Sequence, residues 1–375
     1  MQDDDAQSLD IFLVGPPGLE AHLADEARAA GFGDPRPEPG GVAIRGGWPD
    51  VWRANLTLRC ASRVLVRVAS FRTLHPAQLD KRARRVDWAA LLPPGTPVRV
   101  EAECRKSRIY HAGAAAQRVA RAIREGAGAA EGGDGAVRAL VRIVDDLCVI
   151  SLDSSGEPLH RRGTKQAVGK APMRETLAAL FLRGCGYAGA EPVVDPMCGS
   201  GTFVLEAAEI AAGLAPGRGR AFAFERFAPF EPEAWGAMRG RAAAPPAGIG
   251  PFLGSDRDDG AVAAARANAE RAGLGAVCAF ERRAVSDAAP PAGAPPGLVI
   301  VNPPYGARIG DRAGLRALYG ALGGVLRARF AGWRVGLVTN DEGLARATGL
   351  PFGPAGPPVP HGPLKIRLYR TGPLG

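Results

Sequence analysis

Leu298-Val299-Ile300-Val301-Asn302-Pro303-Pro304-Tyr305-Gly306 is the stretch that decides the fold. Four apolar residues, three of them β-branched, run straight into two prolines. A short, uninterrupted apolar run of this kind reads as a strand buried on both faces, as in parallel sheets. Neither proline can donate to a sheet ladder, so the strand ends at Val301. An amide, a rigid turn and an aromatic ring then stand at the carboxyl end of a buried strand, the edge where open α/β sheets bind ligands.

The Asn302 side-chain oxygen and the Pro303 carbonyl are both acceptors. Held close together, they match the two hydrogens of an exocyclic NH₂. Pro304 stiffens the turn, and the Tyr305 ring offers a planar base a face worth roughly 1–3 kcal/mol in stacking. An aryl amine is a poor nucleophile because its lone pair is delocalised. Acceptors that favour a pyramidal nitrogen would localise that pair and aim it at an electrophile. Taken alone, the corner suits the amine of guanine or adenine, or a glutamine amide.

Upstream, strands and helices alternate. Pro192–Asp195, Phe252–Asp256, Val277–Ala284 and Arg334–Thr339 read as strands. Arg174–Leu182, Thr202–Ala212, Gly260–Ala272 and Leu315–Phe330 read as helices, and Leu364–Tyr369 as a last strand. Such alternation means a doubly wound parallel sheet. Residues 213–250, rich in Gly, Pro, Arg and Phe, read as an insertion.

The first βα turn of that sheet is Asp195-Pro196-Met197-Cys198-Gly199-Ser200-Gly201-Thr202. Gly199 and Gly201 allow close backbone approach, and Thr202 is a candidate helix cap. The spacing is neither that of a dinucleotide fingerprint nor that of a P-loop. An acidic residue before the loop disfavours a pyrophosphate and suits a cation. S-adenosyl-L-methionine, with a sulfonium, an ammonium and a ribose but no phosphate, fits. Asp256, ending the next strand, can accept the ribose hydroxyls. Asp287, after the third strand, is placed for the adenine amine. Transfer of a methyl group to an amine needs in-line positioning at about 3–3.5 Å rather than a protein nucleophile. Cys198 has no neighbouring base and reads as a loop residue.

The chain has 375 residues, enough for two or three domains. Apolar residues make up 46%, with no run long enough to span a membrane. The acidic start Met-Gln-Asp-Asp-Asp lacks a signal-peptide pattern, and the six cysteines lack paired spacing. Together they suggest a cytoplasmic protein without disulfides. The five histidines lack metal-ligand spacing, so no metal is expected, and the chain is expected to work as a monomer.

The net charge of +9 is uneven: −7 over residues 1–50, +12 over 51–124, −5 over 125–160 and +9 thereafter. A basic block between acidic ones suggests a polyanion-binding surface. Residues 1–68 have a ferredoxin-like rhythm: strands at Ile11–Val14, Val42–Arg45 and Val64–Val68, helices at Leu19–Ala30 and Trp48–Ser62. In residues 69–158, the strand Pro97–Cys104 leads through Arg105, Lys106 and Arg108 to a helix at Ala114–Glu125. Arg118, Arg121 and Arg124 recur at three-residue steps on that helix, a row suited to phosphates. A hairpin crosses Asp145-Asp146, and a basic connector with His160, Arg161, Arg162, Lys165 and Lys170 leads into the sheet region at 159–375.

The whole resembles the THUMP-domain RNA guanine-N2 methyltransferases. The resemblance rests on residues 98–124, on Ser151–Gly163, on Ala171-Pro172-Met173-Arg174-Glu175, and on the Asp195 and Asn302 motifs. It is strongest to the bacterial large-subunit rRNA enzymes that make N2-methylguanosine, and the second methyltransferase domain that some of those carry as a fusion is not expected here. Relatives acting on tRNA share the layout. The resemblance implies a Rossmann-like class I methyltransferase domain behind an α+β ferredoxin-like and THUMP module, with structured RNA as partner. It further implies that Asn302, Pro303 and Tyr305 hold guanine, that Asp195 and the glycine loop hold the methionine moiety, and that Asp256 and Asp287 hold ribose and adenine. Two departures stand out: Thr164-Lys165-Gln166 where an aromatic and Arg are usual, and Ala307 where Glu is common. Adenine-N6 or glutamine methylation, and an RNA-binding factor with a vestigial catalytic fold, are the competing readings.

Overall fold

A computed structural model describes residues 8–163, 173–240, 250–306 and 312–375. The acidic start, Thr164–Gln166, Lys170–Pro172 and Ala307 lie outside the described residues. The chain forms two units. The first holds the N-terminal strand up to Gly15, Leu23–Leu159 and Arg220–Arg241; the second holds Pro16–His22, His160–Gly219 and Ala242–Gly375.

The first unit carries β1 (Leu9–Val14), β2 (Arg36–Glu38), β3 (Gly41–Gly46), β4 (Arg63–Arg72), β5 (Pro97–Arg105), β6 (Ala130–Glu131), β7 (Val137–Val144) and β8 (Leu147–Asp153). They form one sheet in the order β2-β3-β1-β4-β8-β7-β5-β6. With α1 (Glu20–Ala29) and α2 (Trp48–Thr57), β1–β4 make a βαββαβ ferredoxin-like unit. The antiparallel pairing of β4 with β8 fuses it to the following strands, so residues 1–68 and 69–158 share one sheet. Asp145 and Asp146, at φ +50° and +62°, form the tight β7–β8 turn, as a two-residue hairpin requires. Of α3 (Pro76–Ala83) and α4 (Ala112–Ala127), only the second is evident from periodicity.

The helix expected at Trp48–Ser62 stops at Thr57, and Leu58 turns extended (φ −79°, ψ 127°). The buried Glu26 carboxylate explains this, because it accepts the backbone N–H groups of Arg59 (2.8 Å) and Cys60 (2.9 Å).

The second unit carries α5 (Glu175–Gly184), β9 (Val193–Asp195), α6 (Thr202–Ala211), β10 (Phe252–Asp256), α8 (Asp259–Ala272), β11 (Cys278–Arg282), β12 (Leu298–Val301), α9 (Arg312–Arg329), β13 (Arg334–Thr339), α10 (Glu342–Ala347), β14 (Val359–His361) and β15 (Leu364–Arg370). Between α6 and β10, α7 (Pro232–Gly240) belongs to the first unit. The insertion therefore contributes to the first unit: Phe222, Phe224, Phe230 and Trp235 form an aromatic cluster with Trp52 of α2.

The second sheet runs β11-β10-β9-β12-β13-β15-β14. Strands β9 to β13 are mutually parallel where they pair, and β15 returns antiparallel to β13. The strand order reverses between β9 and β12, a topological switch point with Asp195 on one side and Asn302 on the other. One core lies under this edge, where Val299, Val301, Val335 and Leu337 meet Leu315, Tyr319, Leu322 and Leu326 of α9. Among the described residues, no helix is long and apolar enough to cross a membrane.

Candidate active site

Asp195 ends β9 almost fully buried, at 2% exposure. Its Oδ1 accepts the Met197 N–H at 3.0 Å, which holds the turn through Pro196. Burial, helped by the charge of Asp256, pushes its carboxyl up to about 8 against the pull of the Met197 N–H. Gly199 has φ +52° and open space where a Cβ would stand. Gly201, at φ +84°, is the residue that caps α6. The expectation that Thr202 caps this helix is corrected: Thr202 is buried as the first helical residue.

Asp256 ties this loop to β10. Its Oδ2 accepts the Gly199 N–H and its Oδ1 the Asp258 N–H, both at 3.0 Å. Each oxygen retains a second lone pair. The Cys198 N–H donates to Ser255 O (2.9 Å), and Asn268 Nδ2 donates to Ser200 O (3.1 Å). Burial and the two nearby carboxylates push the Cys198 thiol up, so it stays protonated and is no nucleophile. Asp287 ends a 3₁₀ turn after β11, with its side chain exposed. Two carboxylates flanking an open glycine suit a cationic ligand with a diol and repel a phosphate.

The second half of the corner is built at the end of β12. Asn302 Oδ1 is buried and has no hydrogen-bond partner, an arrangement that costs about 1–3 kcal/mol unless something binds there. The Asn302 amide beside Tyr305 pulls the phenol down, against the effect of burial. Burial wins and pushes Tyr305 up to about 12, so its hydroxyl is neutral. Behind the turn, the Tyr319 hydroxyl lies 3.3 Å from the Pro304 carbonyl and 3.2 Å from Thr339 Oγ1. Neither Tyr319 nor Thr339 stands out in the sequence. Tyr319 has the spacing of a core residue with Leu315 and Leu322, and only its polar tip sets it apart.

The basic residues divide. Arg105 is exposed at the end of β5 and Lys106 and Arg108 on the loop that follows, and Arg121 is exposed on α4 with Arg118 half-buried beside it. Arg161 is exposed as well. Arg162 is not available for RNA: it is 4% exposed, and its Nη2 pairs with the buried Glu206 of α6 at 3.0 Å. That assignment is corrected. Part of the charge at 51–124 is spent internally, in Arg53–Asp50, Arg63–Asp153, Arg67–Glu38 and Arg84–Asp80 pairs. The connector start is a structural hub: Asp153, Ser154 and Ser155 are fully buried. Asn55 Nδ2 donates to Ser154 Oγ (2.9 Å), and Ser155 Oγ donates to Asn55 Oδ1 (2.6 Å). Among the described residues, no group of three or more His, Cys, Asp or Glu side chains is arranged to hold a metal ion.

Two family models match. Residues 162–351 match the RMKL-like methyltransferase domain, and residues 10–65 match the RlmL ferredoxin-like domain. A ribosomal RNA large subunit methyltransferase K/L of Syntrophotalea carbinolica is 38% identical over 91% of this chain and 50% of its own length. The chain thus spans about half the length of the K/L relatives it matches. A Synechocystis protein provisionally named as an RNA methyltransferase is 33% identical over 89% of each chain. Among solved structures, a Listeria monocytogenes protein described as a predicted N6-adenine-specific DNA methylase superposes with TM-score 0.88 at 30% identity, covering 98% of this chain and 97% of its own. SMU.472, a protein provisionally named as a methyltransferase and solved with S-adenosylhomocysteine, superposes with TM-score 0.88 at 26% identity, covering 98% and 99%. On its sequence, its strand order and the motif at each side of the switch point, the chain belongs to the RMKL-like methyltransferase family.

Proposed function

We propose that this chain is an S-adenosyl-L-methionine-dependent RNA methyltransferase that modifies the exocyclic N2 amine of a guanosine in large-subunit ribosomal RNA. The observation that carries the reading is Asn302 Oδ1, a buried acceptor with no partner beside the Asp195 loop. S-adenosyl-L-methionine, when bound, supplies a methyl group on a sulfonium. Asp195, the Gly199–Gly201 loop and Asp256 would hold it, with Asp287 reaching its base. Asn302 and the Pro303 carbonyl take the two amine hydrogens and aim the nitrogen lone pair, and Tyr305 covers the base. The neutral phenol of Tyr305 is no base. The proton displaced from the amine after transfer leaves to solvent.

Arg105, Lys106, Arg108, Arg118, Arg121 and Arg161 are the residues proposed to meet the RNA backbone, since phosphate contacts position without reading sequence. The relatives named for ribosomal RNA support the substrate class. The adenine reading has one specific support, the description of the Listeria structure. Mass-spectrometric comparison of nucleosides from rRNA, tRNA and DNA, with and without the gene, separates them. Loss of N2-methylguanosine from large-subunit rRNA is expected; loss of N6-methyladenine from DNA would overturn the reading. Asn302→Ala is expected to abolish transfer while leaving S-adenosylhomocysteine binding in place.

A further inference from the structure

The second unit has a second buried acceptor of the same kind. Asn340 Oδ1 is buried and has no hydrogen-bond partner. It stands one residue past β13, as Asn302 stands one residue past β12. Among the described residues of this unit, these are the two buried side-chain acceptor atoms left unpartnered.

The register relates them. Val301 pairs with Leu337 in the parallel β12–β13 ladder. Asn302 therefore continues opposite Val338, and Asn340 lies two residues further out on the neighbouring strand. Strands about 4.8 Å apart with a rise of about 3.3 Å per residue put the two Cα atoms roughly 8 Å apart. Side chains alternate along a strand. Val299, Val301, Val335 and Leu337 face the α9 core, so alternation carried one residue past each strand end gives Asn302 and Asn340 the same parity, opposite to that of the core residues. Thr339, of the core-facing parity, meets Tyr319.

Asn340 has no local task that would account for it. Asp341 caps α10, accepting the Leu344 N–H at 3.1 Å. The Asp341 N–H is itself taken by Thr339 Oγ1. The loop after β13 is thus satisfied without the Asn340 side chain.

We propose that Asn340 reads the base whose amine Asn302 holds, and so selects guanine. This inference rests on the guanine reading above. Beside its N2 amine, guanine presents the N1–H donor and the O6 acceptor. An Asn amide meets both, its oxygen accepting N1–H and its NH₂ donating to O6. Adenine seated by its N6 amine turns the bare N1 acceptor toward the same oxygen, and a glutamine amide has only its carbonyl oxygen or a methylene there, neither of them a donor. Asn340 is a specificity-determining residue, and Asn302 holds the reacting nitrogen.

The test pairs a change in the enzyme with a change in the base. The probe is an rRNA fragment carrying either guanosine or 2-aminopurine riboside at the methylated position. 2-Aminopurine keeps the amine at C2 but lacks O6 and N1–H. For the full chain, kcat/KM is expected to be about 10–100-fold higher on guanosine, the discrimination a bidentate base contact supplies. Asn340→Ala is expected to lose that factor on guanosine only, so the ratio collapses toward one while S-adenosylhomocysteine affinity is unchanged. Asn340→Asp, which keeps the N1–H acceptor but loses the donor to O6, is expected to fall between and serves if the alanine variant misfolds. An unchanged guanosine to 2-aminopurine ratio in either folded variant would overturn the proposal, whatever happened to the rate. Transfer by the unaltered chain to adenine N6 rather than to guanine would overturn this inference together with the guanine reading, and the two failures are thereby told apart.

Discussion

The Tyr319 hydroxyl sits 3.3 Å from the carbonyl oxygen of Pro304, joining the middle of α9 to the turn that follows β12. Thr339 Oγ1 accepts the Asp341 N–H (3.3 Å) and lies 3.2 Å from the same phenol. Thr339 can therefore donate to Tyr319, whose one hydrogen then goes to Pro304. This relay orders each of its protons and leaves the turn one position. Tyr319 is fully buried, and burial raises its phenol far above the ordinary range, so it remains a donor throughout the working pH range.

Tyr319→Phe removes this brace and leaves the Pro304 carbonyl without it. A stability loss of about 1–2 kcal/mol is expected from one lost buried hydrogen bond. The larger effect is expected in catalysis, because small misplacements of the acceptor corner are costly: kcat lower by roughly 10–100-fold. Affinity for S-adenosylhomocysteine is expected to stay within about two- or threefold, on the order of the scatter between distant sites. Steady-state kinetics with calorimetry decides; equal losses in kcat and in cofactor affinity would mean that the whole edge, not the turn, depends on Tyr319.

Arg162 makes a second prediction, opposite in kind. Its partner Glu206 is as buried as it is, so removing the cation strands a carboxylate in the interior. Arg162→Ala is expected to destabilise the second unit by about 3–5 kcal/mol. RNA affinity of the molecules that stay folded is expected to be unchanged. Arg108→Ala and Arg121→Ala are expected to do the reverse, with stability within about 0.5 kcal/mol. Their RNA affinity should be lower, and the salt slope smaller by about 0.7–0.9 for each phosphate no longer neutralised. Filter binding across a salt series, beside urea melts, separates the two patterns.

What can be read in the sequence is whatever depends on near neighbours. Phe252–Asp256 and Arg334–Thr339 are strands to the residue, because each is an apolar run ending at a polar residue. The Asp145-Asp146 turn is legible because two residues between alternating strands leave few alternatives. The ligand corner is legible because Asn302 and its prolines adjoin in sequence. Arg162 misleads because its partner lies 44 residues away, and a basic connector looks the same whether its side chains face water or a buried Glu. The insertion is opaque for a related reason: Phe222, Phe224 and Trp235 are explained by Trp52, which no local pattern pairs with them. Asn340 follows an ordinary core strand, and only the register with β12 gives it a meaning.

The insertion supplies a third prediction. Trp235 is 4% exposed and packs edge-on against Phe222 and Phe224, at centroid distances of 5.8 Å and 5.0 Å. Trp235→Ala is expected to cost the first unit about 3–5 kcal/mol. Hydrogen exchange should show the loss in α2, which contributes Trp52 to the cluster, although α7 is more than 170 residues away from it along the chain. Protection unchanged in α2 would mean that the segment docks without supporting the sheet.

The last prediction concerns pH and follows from Asp195. Its carboxyl is pushed up to about 8 in the folded chain from an ordinary value of 3.8. The folded state therefore holds a proton that the unfolded chain gives up near pH 4. The sign is fixed by linkage: the contribution to stability is fully present below about pH 4, declines as the pH rises, and is lost once the folded carboxyl ionises near 8. A cationic ligand acts the other way, because it favours the ionised form and draws the proton off. Affinity for S-adenosyl-L-methionine is expected to rise with pH from about 6 and to level off above about 8, with a proton released on binding at neutral pH. Asp195→Asn is expected to bind more weakly at pH 8, and to flatten both profiles by removing the titrating group. Calorimetry in buffers of different ionisation enthalpy reads the proton directly. A wild-type affinity independent of pH between 6 and 9, with no proton released, would show that the ligand's cation does not meet Asp195.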